Sequence, residues 1–144
     1  MTKDKFLEDF KNLFQDKNVE VNKMVEGSMD KEADIAKCSF PGVYVILQND
    51  NVIYIGSAYA GKRSIADRLK QYLSNSKTGN TLANAFIRNR DIDADDDKKA
   101  NKVRGDVIQE IRACSFMAFQ YKDLEYELIK GCDNLINYAG NKKN

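Results

Sequence analysis

The sequence contains no histidine and no tryptophan, and it has only one proline and three cysteines among 144 residues. Without histidine the chain cannot build a Ser-His-Asp or Cys-His catalytic arrangement, a Cys₂His₂ zinc finger or an HExxH zinc site. Any proton transfer must therefore use tyrosine, lysine, a carboxylate or metal-bound water.

The cysteines and the hydrophobic runs indicate the cellular compartment of the protein. Cys38, Cys114 and Cys132 are odd in number and widely spaced, which favours reduced, partly buried thiols in a cytoplasmic protein. No apolar run approaches the length needed to cross a bilayer, and the charged N-terminus lacks the apolar segment of a secretory signal. We therefore expect a cytoplasmic protein of one domain's length with no membrane partner.

The net charge of +1 is uninformative, but the charges are unevenly distributed. Between residues 62 and 90 the only carboxylate is Asp67, and the cations are Lys62, Arg63, Arg68, Lys70, Lys77, Arg88 and Arg90. A run of aspartates follows, from Asp91 to Asp97. The basic block could follow a phosphate backbone, although solvated helical faces explain the pattern as well.

Hydrophobic periodicity predicts a helical extension over residues 1–37 and a domain over 38–144. Within the extension we expect an amphipathic helix, because Phe6, Leu7, Phe10, Leu13 and Phe14 fall at helical spacing. We also expect a polar loop at 18–30 and a short helix at 31–38. The face that carries Phe6, Phe10 and Phe14 should pack on the domain or on a partner.

The domain itself has the pattern of an α/β (α+β) fold. Two strand-like runs, 42–47 and 52–55, are separated by hairpin-type residues, and a third strand is expected at 114–121. Helices are expected at 64–74, with Ser64 as N-cap, and at 81–88 and 124–132, whereas 91–101 has the composition of an acidic loop and 107–111 suits a helix or a strand. The prediction is a small, mainly antiparallel three-stranded sheet flanked by helices.

The hairpin makes a geometric prediction about Tyr44 and Tyr54. Side chains alternate between the faces of a strand, so a two-residue turn alone would place these two tyrosines on opposite faces. They share a face only if the loop has an odd length or if a bulge shifts the register.

Several strings resemble the GIY-YIG nuclease family in order and spacing. They are Gly42-Val43-Tyr44, Tyr54-Ile55-Gly56, Arg68-Leu69-Lys70-Gln71-Tyr72, Leu124-Glu125-Tyr126-Glu127-Leu128-Ile129 and Asn137. Each string alone is weak, but their joint order is fairly specific, and the resemblance covers residues 41–137.

The resemblance implies a metal-dependent endonuclease that acts on DNA, with RNA and the choice between monomer and homodimer left open. It implies that Tyr44 or Tyr54 positions and deprotonates water, and that Glu125 binds a single Mg²⁺ (or Mn²⁺). Arg68 would stabilise the phosphate, Tyr72 would assist and Asn137 would brace the site. The residues expected to bind nucleic acid are Gly42, Gly56, Ser57, Lys62, Arg63 and Lys70. A stand-alone nuclease of bacterial, phage or mobile-element origin suits the length.

The chemistry of these residue types is consistent with that assignment. A phenol has an ordinary pKa of about 10, so we expect a nearby cation, Arg68 or the metal, to lower it before a tyrosine can accept a proton. Arg68 and Tyr72 are four residues apart on the expected helix and therefore lie side by side.

Two alternatives follow from the loop after the second string. Ser57 stands where many family members have lysine, so the chain could bind nucleic acid or a protein without cutting, unless Lys62 or Arg63 folds back to replace that cation. Gly56-x-x-x-x-Gly61-Lys62 also covers most of a phosphate-binding loop, but Arg63 occupies the position of the Mg²⁺-binding Ser or Thr. The sequence therefore leaves three hypotheses, which are a nuclease, a binding module that does not cut and a P-loop nucleotide binder.

Overall fold

A computed structural model describes residues 1–16, 21–58, 63–76 and 78–121. Within these ranges the order of elements is α1 (Lys3–Asp16), β1 (Val21–Ser28), α2 (Glu32–Ala36), β2 (Gly42–Gln48), β3 (Asn51–Ala58), α3 (Ile65–Gln71), α4 (Thr81–Arg88), α5 (Asp97–Arg112) and β4 (Ser115–Tyr121). The α+β class is confirmed, and the predicted helix at 124–132 lies outside the described residues.

The sheet has four antiparallel strands in the order β1-β4-β2-β3, so the prediction of three strands is wrong. The additional strand, β1, comes from the segment for which the sequence predicts a polar loop. It pairs with β4 from Ser28 opposite Ser115 to Val21 opposite Tyr121. β1 is an edge strand whose buried side chains include Val25. Its pairing with β4, a long-range interaction, outweighs its weak local preference for strand.

The two faces of the sheet carry separate clusters of apolar side chains. On one face, Tyr44 and Ile46 of β2 pack with residues of α3, α4 and α5. On the other face, Phe10 of α1 packs on Phe119 of β4, with ring centroids 4.6 Å apart. The expectation that the apolar face of α1 packs on the domain is therefore confirmed for Phe6 and Phe10, whereas the side chain of Phe14 lies outside the described part of the structure. β1 adds part of the predicted extension to the sheet.

Local signals explain where the central helices begin. Ser64 caps α3 in a capping box: its side chain accepts a hydrogen bond from the Asp67 N–H, and the Asp67 carboxylate accepts one from the Ser64 N–H. Asp96 caps α5 by accepting from the Lys99 N–H. The predicted acidic loop is therefore wrong beyond residue 96, because its last aspartates start a helix, and residues 107–111 are helical.

Three further features of the structure concern the cysteines, the P-loop alternative and the question of a membrane span. Cys38 and Cys114 are free and buried, and burial raises the pKa of each thiol to about 11. β3 is antiparallel to β2 and lies at the sheet edge, whereas a P-loop follows a strand of a parallel βαβ unit. None of the helices in the described ranges is long and apolar enough to span a membrane.

Two glycines provide a matched test of this packing. Gly105 is in the middle of α5, and a Cβ placed there would meet no atom within 4 Å. We expect Gly105→Ala to raise the free energy of unfolding by about 0.5–1 kcal/mol, because alanine favours helix. A Cβ on Gly56 would lie 2.5 Å from Cζ of Tyr44. Gly56→Ala should therefore lower that free energy by about 1–3 kcal/mol.

Urea denaturation of both variants and the wild type measures these changes. Equal stability of the Gly56→Ala variant and the wild type would contradict the close packing of Tyr44 against β3.

Candidate functional site

The β2–β3 hairpin places Tyr44 and Tyr54 on the same face of the sheet. Asn49 and Asp50 form a two-residue turn, and both have positive φ, 52° and 64°, as a type I′ turn requires. Leu47 pairs with Val52, but Ile46 pairs with Tyr54, so Ile53 is an additional residue in a β-bulge. The prediction that a shared face requires an odd loop or a bulge is confirmed, and the bulge is the solution.

Tyr44 occupies a space between two small residues. Its neighbours across the sheet are Gly56 on β3 and Ala118 on β4. This arrangement lets the ring lie against the Gly56 backbone with its side chain fully buried. Its hydroxyl is hydrogen-bonded to the hydroxyl of Tyr72, the C-cap residue of α3.

Tyr72 links the two hairpin tyrosines. Its ring centroid is 6.0 Å from that of Tyr44 and 5.7 Å from that of Tyr54, which it meets edge-on at 75°. Tyr72 is fully buried, whereas Tyr54 is half-buried. The three phenols therefore form one cluster, with Tyr54 as the member in contact with the surface.

Arg68 adds a positive charge to this cluster. It lies one helical turn before Tyr72 on α3 and is half-buried. Its Nε is among the described buried atoms that have no hydrogen-bond partner. Burial acts to lower the pKa of Arg68, but the phenols of Tyr44, Tyr72 and Tyr54 act against it, and the net shift is upward. The guanidinium is therefore a permanent cation beside the phenols.

Burial keeps two of the phenols protonated. It raises the pKa of Tyr44 and of Tyr72 well above 10.0, and the nearby Tyr54 phenol adds to the shift in both. Arg68 acts to lower both pKa values, but its effect is smaller than that of burial. We expected a cation, Arg68 or the metal, to lower the pKa of Tyr44 or Tyr54, and for Arg68 acting on Tyr44 this expectation is wrong. Near neutral pH both hydroxyls carry a proton.

The structure separates the other residues predicted for the site. Gly42 packs against the Phe119 carbonyl group, where a Cβ would lie 2.9 Å from the carbonyl carbon. Ser57 pairs with Val43, one position out of phase with Tyr44, and so lies on the opposite face from the tyrosines. Contacts of Gly42, Gly56 and Ser57 with nucleic acid stay predictions.

The predicted cations also lie in different places. Lys70 lines a cavity of about 370 Å³ that it shares with Met29, Asp30 and Arg112, and it does not join the tyrosine cluster. Arg63 lies in the loop before α3 and contacts that helix: its Nη1 donates a hydrogen bond of 2.9 Å to Oε1 of Gln71. The predicted site residues Lys62, Glu125 and Asn137 lie outside the described residues.

Sequence reasoning missed Gln71. Its Oε1 also accepts a hydrogen bond of 3.4 Å from Nη1 of Arg68. The spacing of three residues between Arg68 and Gln71 on one helix could have suggested this contact. The spacing of eight residues to Arg63 could not, because it depends on the path of the chain before α3.

The described part of the site does not fit a divalent metal by itself. Within the described residues no group of three or more His, Cys, Asp or Glu could hold a metal ion. The cluster offers phenol oxygens and a guanidinium, whereas Mg²⁺ binds carboxylate and other hard oxygen ligands. The metal site stays a prediction that depends on Glu125.

Comparison with known proteins adds no relative: no family model, no curated protein and no solved structure matches this chain. The resemblance to GIY-YIG nucleases is therefore a hypothesis that depends on the residues described above.

The buried phenols predict a late step in alkaline titration. The folded state retains the protons of Tyr44 and Tyr72 at pH values where the unfolded chain releases them. Their contribution to stability is therefore complete below about pH 10 and is lost as the pH rises above it. We expect these two of the seven tyrosines to ionise only with unfolding, measured by phenolate absorbance and circular dichroism.

The Tyr44→Phe/Tyr72→Phe double variant is the control and should lack the late step. Ionisation of all seven tyrosines at their ordinary pKa in a protein that keeps its native circular dichroism would refute the burial of this pair.

Proposed function

We propose that this chain is an endonuclease that hydrolyses phosphodiester bonds in DNA. One observation carries the proposal: phenols from β2, β3 and α3 and the guanidinium of Arg68, remote in the chain, converge on one face of the sheet. Phosphodiester hydrolysis needs charge stabilisation at the phosphate, a positioned water and help for the leaving oxygen. The cluster offers groups suited to the first two requirements.

Arg68 is the group suited to the phosphate. Within the described residues it forms no ion pair with a carboxylate. The surrounding phenols of Tyr44 and Tyr72 are neutral near pH 7, so they leave its charge uncompensated. A partly buried cation without a counterion attracts anions strongly, and the planar guanidinium matches two oxygens of one phosphate.

Tyr54 is the phenol that we assign to the attacking water. Tyr44 and Tyr72 are fully buried and hold each other through their hydroxyl groups, so they cannot present an oxygen to bulk water. Tyr54 is half-buried and packs edge-on against Tyr72. In this proposal Tyr44 and Tyr72 fix the positions of Tyr54 and Arg68, and Tyr54 orients the water.

Metal dependence is part of the proposal through Glu125 alone. The described side chains of the cluster include no carboxylate, so no step is assigned to Mg²⁺ or Mn²⁺ here. Glu125 and Asn137 keep the roles that the resemblance implies for them, as metal ligand and as brace.

One set of observations favours a second function, binding of nucleic acid without cleavage. The raised pKa values of Tyr44 and Tyr72 make both poor bases, and Ser57 lies on the face away from the cluster. A buried tyrosine pair beside an arginine can serve as a rigid, positively charged platform. The two functions share the phosphate contact of Arg68 and differ only in whether the bound strand is cut.

Digestion of plasmid and oligonucleotide DNA with Mg²⁺ or Mn²⁺ tests the proposal. We expect cleavage by the wild type, a loss of about 100-fold or more in rate for Arg68→Ala, because a charge on the phosphate is lost, and a similar loss for Tyr54→Phe. Glu125→Ala should abolish cleavage with either metal.

Arg112→Gln is the matched control, because Arg112 lines the separate cavity with Lys70 and pairs with Asp30 at 3.8 Å. It should cleave at the wild-type rate. Binding of DNA by the wild type without cleavage under either metal would replace the nuclease by the binding module.

A further inference from the structure

We propose that Arg63, Arg68 and Gln71 form an arginine clamp that binds one phosphate of the nucleic-acid backbone between the two guanidinium groups. The inference extends the proposed function, since it concerns how the same site would hold its substrate. It adds two residues, Arg63 and Gln71, and gives Gln71 a positioning role.

One oxygen brings the two arginines together. Oε1 of Gln71 accepts hydrogen bonds from Nη1 of Arg63 at 2.9 Å and from Nη1 of Arg68 at 3.4 Å. The two Nη1 atoms can therefore be no farther apart than the sum of these distances. Two N–H donors at that separation can each reach a different oxygen of one phosphate through ordinary charge-assisted bonds.

The Gln71 amide is held in place by the loop before α4. Gly79 has φ +83°, which favours glycine, and a Cβ there would lie 3.2 Å from Cδ of Gln71. Asn80 ties this loop to the end of α3, because its buried Nδ2 donates to the carbonyl oxygens of Tyr72 and Ser74 at 3.0 and 2.7 Å. Gln71 therefore cannot swing freely away from the arginines.

The charges at the clamp are unbalanced in the described part of the chain. Neither Arg63 nor Arg68 forms an ion pair with a carboxylate there. The nearby Asp67 carboxylate instead caps α3: the Ser64 backbone N–H, then the Ser64 side chain, lower its pKa, with smaller contributions from Lys70 and Arg63. Gln71 is neutral, so it does not offset the repulsion between the two guanidinium groups, whereas an anion bound between them would.

This charge pattern indicates a phosphate as the ligand. A carboxylate at position 71 would neutralise the arginines, whereas an amide orients them and leaves their charge available. Arg63 also supplies a second cation beside Arg68, which compensates for the serine at position 57 on the other face of the sheet.

The clamp can be tested by binding alone, in EDTA, so that cleavage does not occur. The probe is a short fluorescein-labelled single-stranded oligonucleotide, and its affinity is measured by anisotropy over a range of salt concentrations. We expect Arg63→Gln to weaken binding about tenfold at low salt and to reduce the salt slope by about 0.7, the value for one lost phosphate contact on a single strand.

Two substitutions at Gln71 separate positioning from simple charge loss. Gln71→Met removes the shared acceptor but no charge, and should weaken binding about fivefold in the wild type and much less when Arg63→Gln is already present. Gln71→Glu places a carboxylate between the arginines, so it should weaken binding more than Gln71→Met while leaving the protein at least as stable.

Arg112→Gln is the control for the loss of one arginine. Arg112 pairs with Asp30 at 3.8 Å, and the cavity that it lines is not lined by Arg63, Arg68 or Gln71. Its binding should equal that of the wild type. Wild-type affinity in Gln71→Glu, or equal effects of Arg63→Gln and Arg112→Gln, would overturn the clamp.

The outcome is distinguishable from that of the proposed function. The expected binding changes without any cleavage under Mg²⁺ or Mn²⁺ would leave the clamp in place and remove the nuclease. Cleavage by the wild type, with unchanged binding in Arg63→Gln and Gln71→Glu, would remove the clamp alone.

Discussion

The single bulge at Ile53 determines whether this chain has a tyrosine site. With the two-residue turn at Asn49 and Asp50 and no bulge, Tyr54 would lie opposite Val45, on the face that packs against α1, and only Tyr44 would face Tyr72. The extra residue reverses the side-chain alternation for the rest of β3. It brings Tyr54 to the face where α3 also presents Arg68.

Burial and charge act in opposite directions on the phenols, and burial has the larger effect. The space that Gly56 and Ala118 leave for Tyr44 is also what removes its hydroxyl from water. The arginine lowers the pKa of that phenol less than the lost hydration raises it. A rigid tyrosine pair is therefore incompatible with an easily ionised one, and for this reason the proposed role beside the attacking water is assigned to the half-buried Tyr54.

The sequence predicted elements whose signals are local. Ser64 is the predicted N-cap of α3, and the paired strings with their polar turn form the predicted hairpin. β1 was not predictable, because only its pairing with β4 makes it a strand. For the site, helix spacing predicted that Arg68 lies beside Tyr72, whereas strand parity gave only the condition under which Tyr44 and Tyr54 share a face. The contact of Arg63 with Gln71 depends on how the chain enters α3, which periodicity does not encode.

The neutrality of Gln71 connects the fold to the proposed function. Proteins usually place a carboxylate beside two close arginines, because unpaired like charges are unfavourable. Here the only carboxylate of α3, Asp67, is used to start the helix, and an amide held by the loop of Gly79 and Asn80 orients both guanidinium groups instead. Among the described residues this arrangement leaves two like charges close together, and a bound anion would relieve their repulsion. This repulsion is the physical basis on which we propose a phosphate ligand.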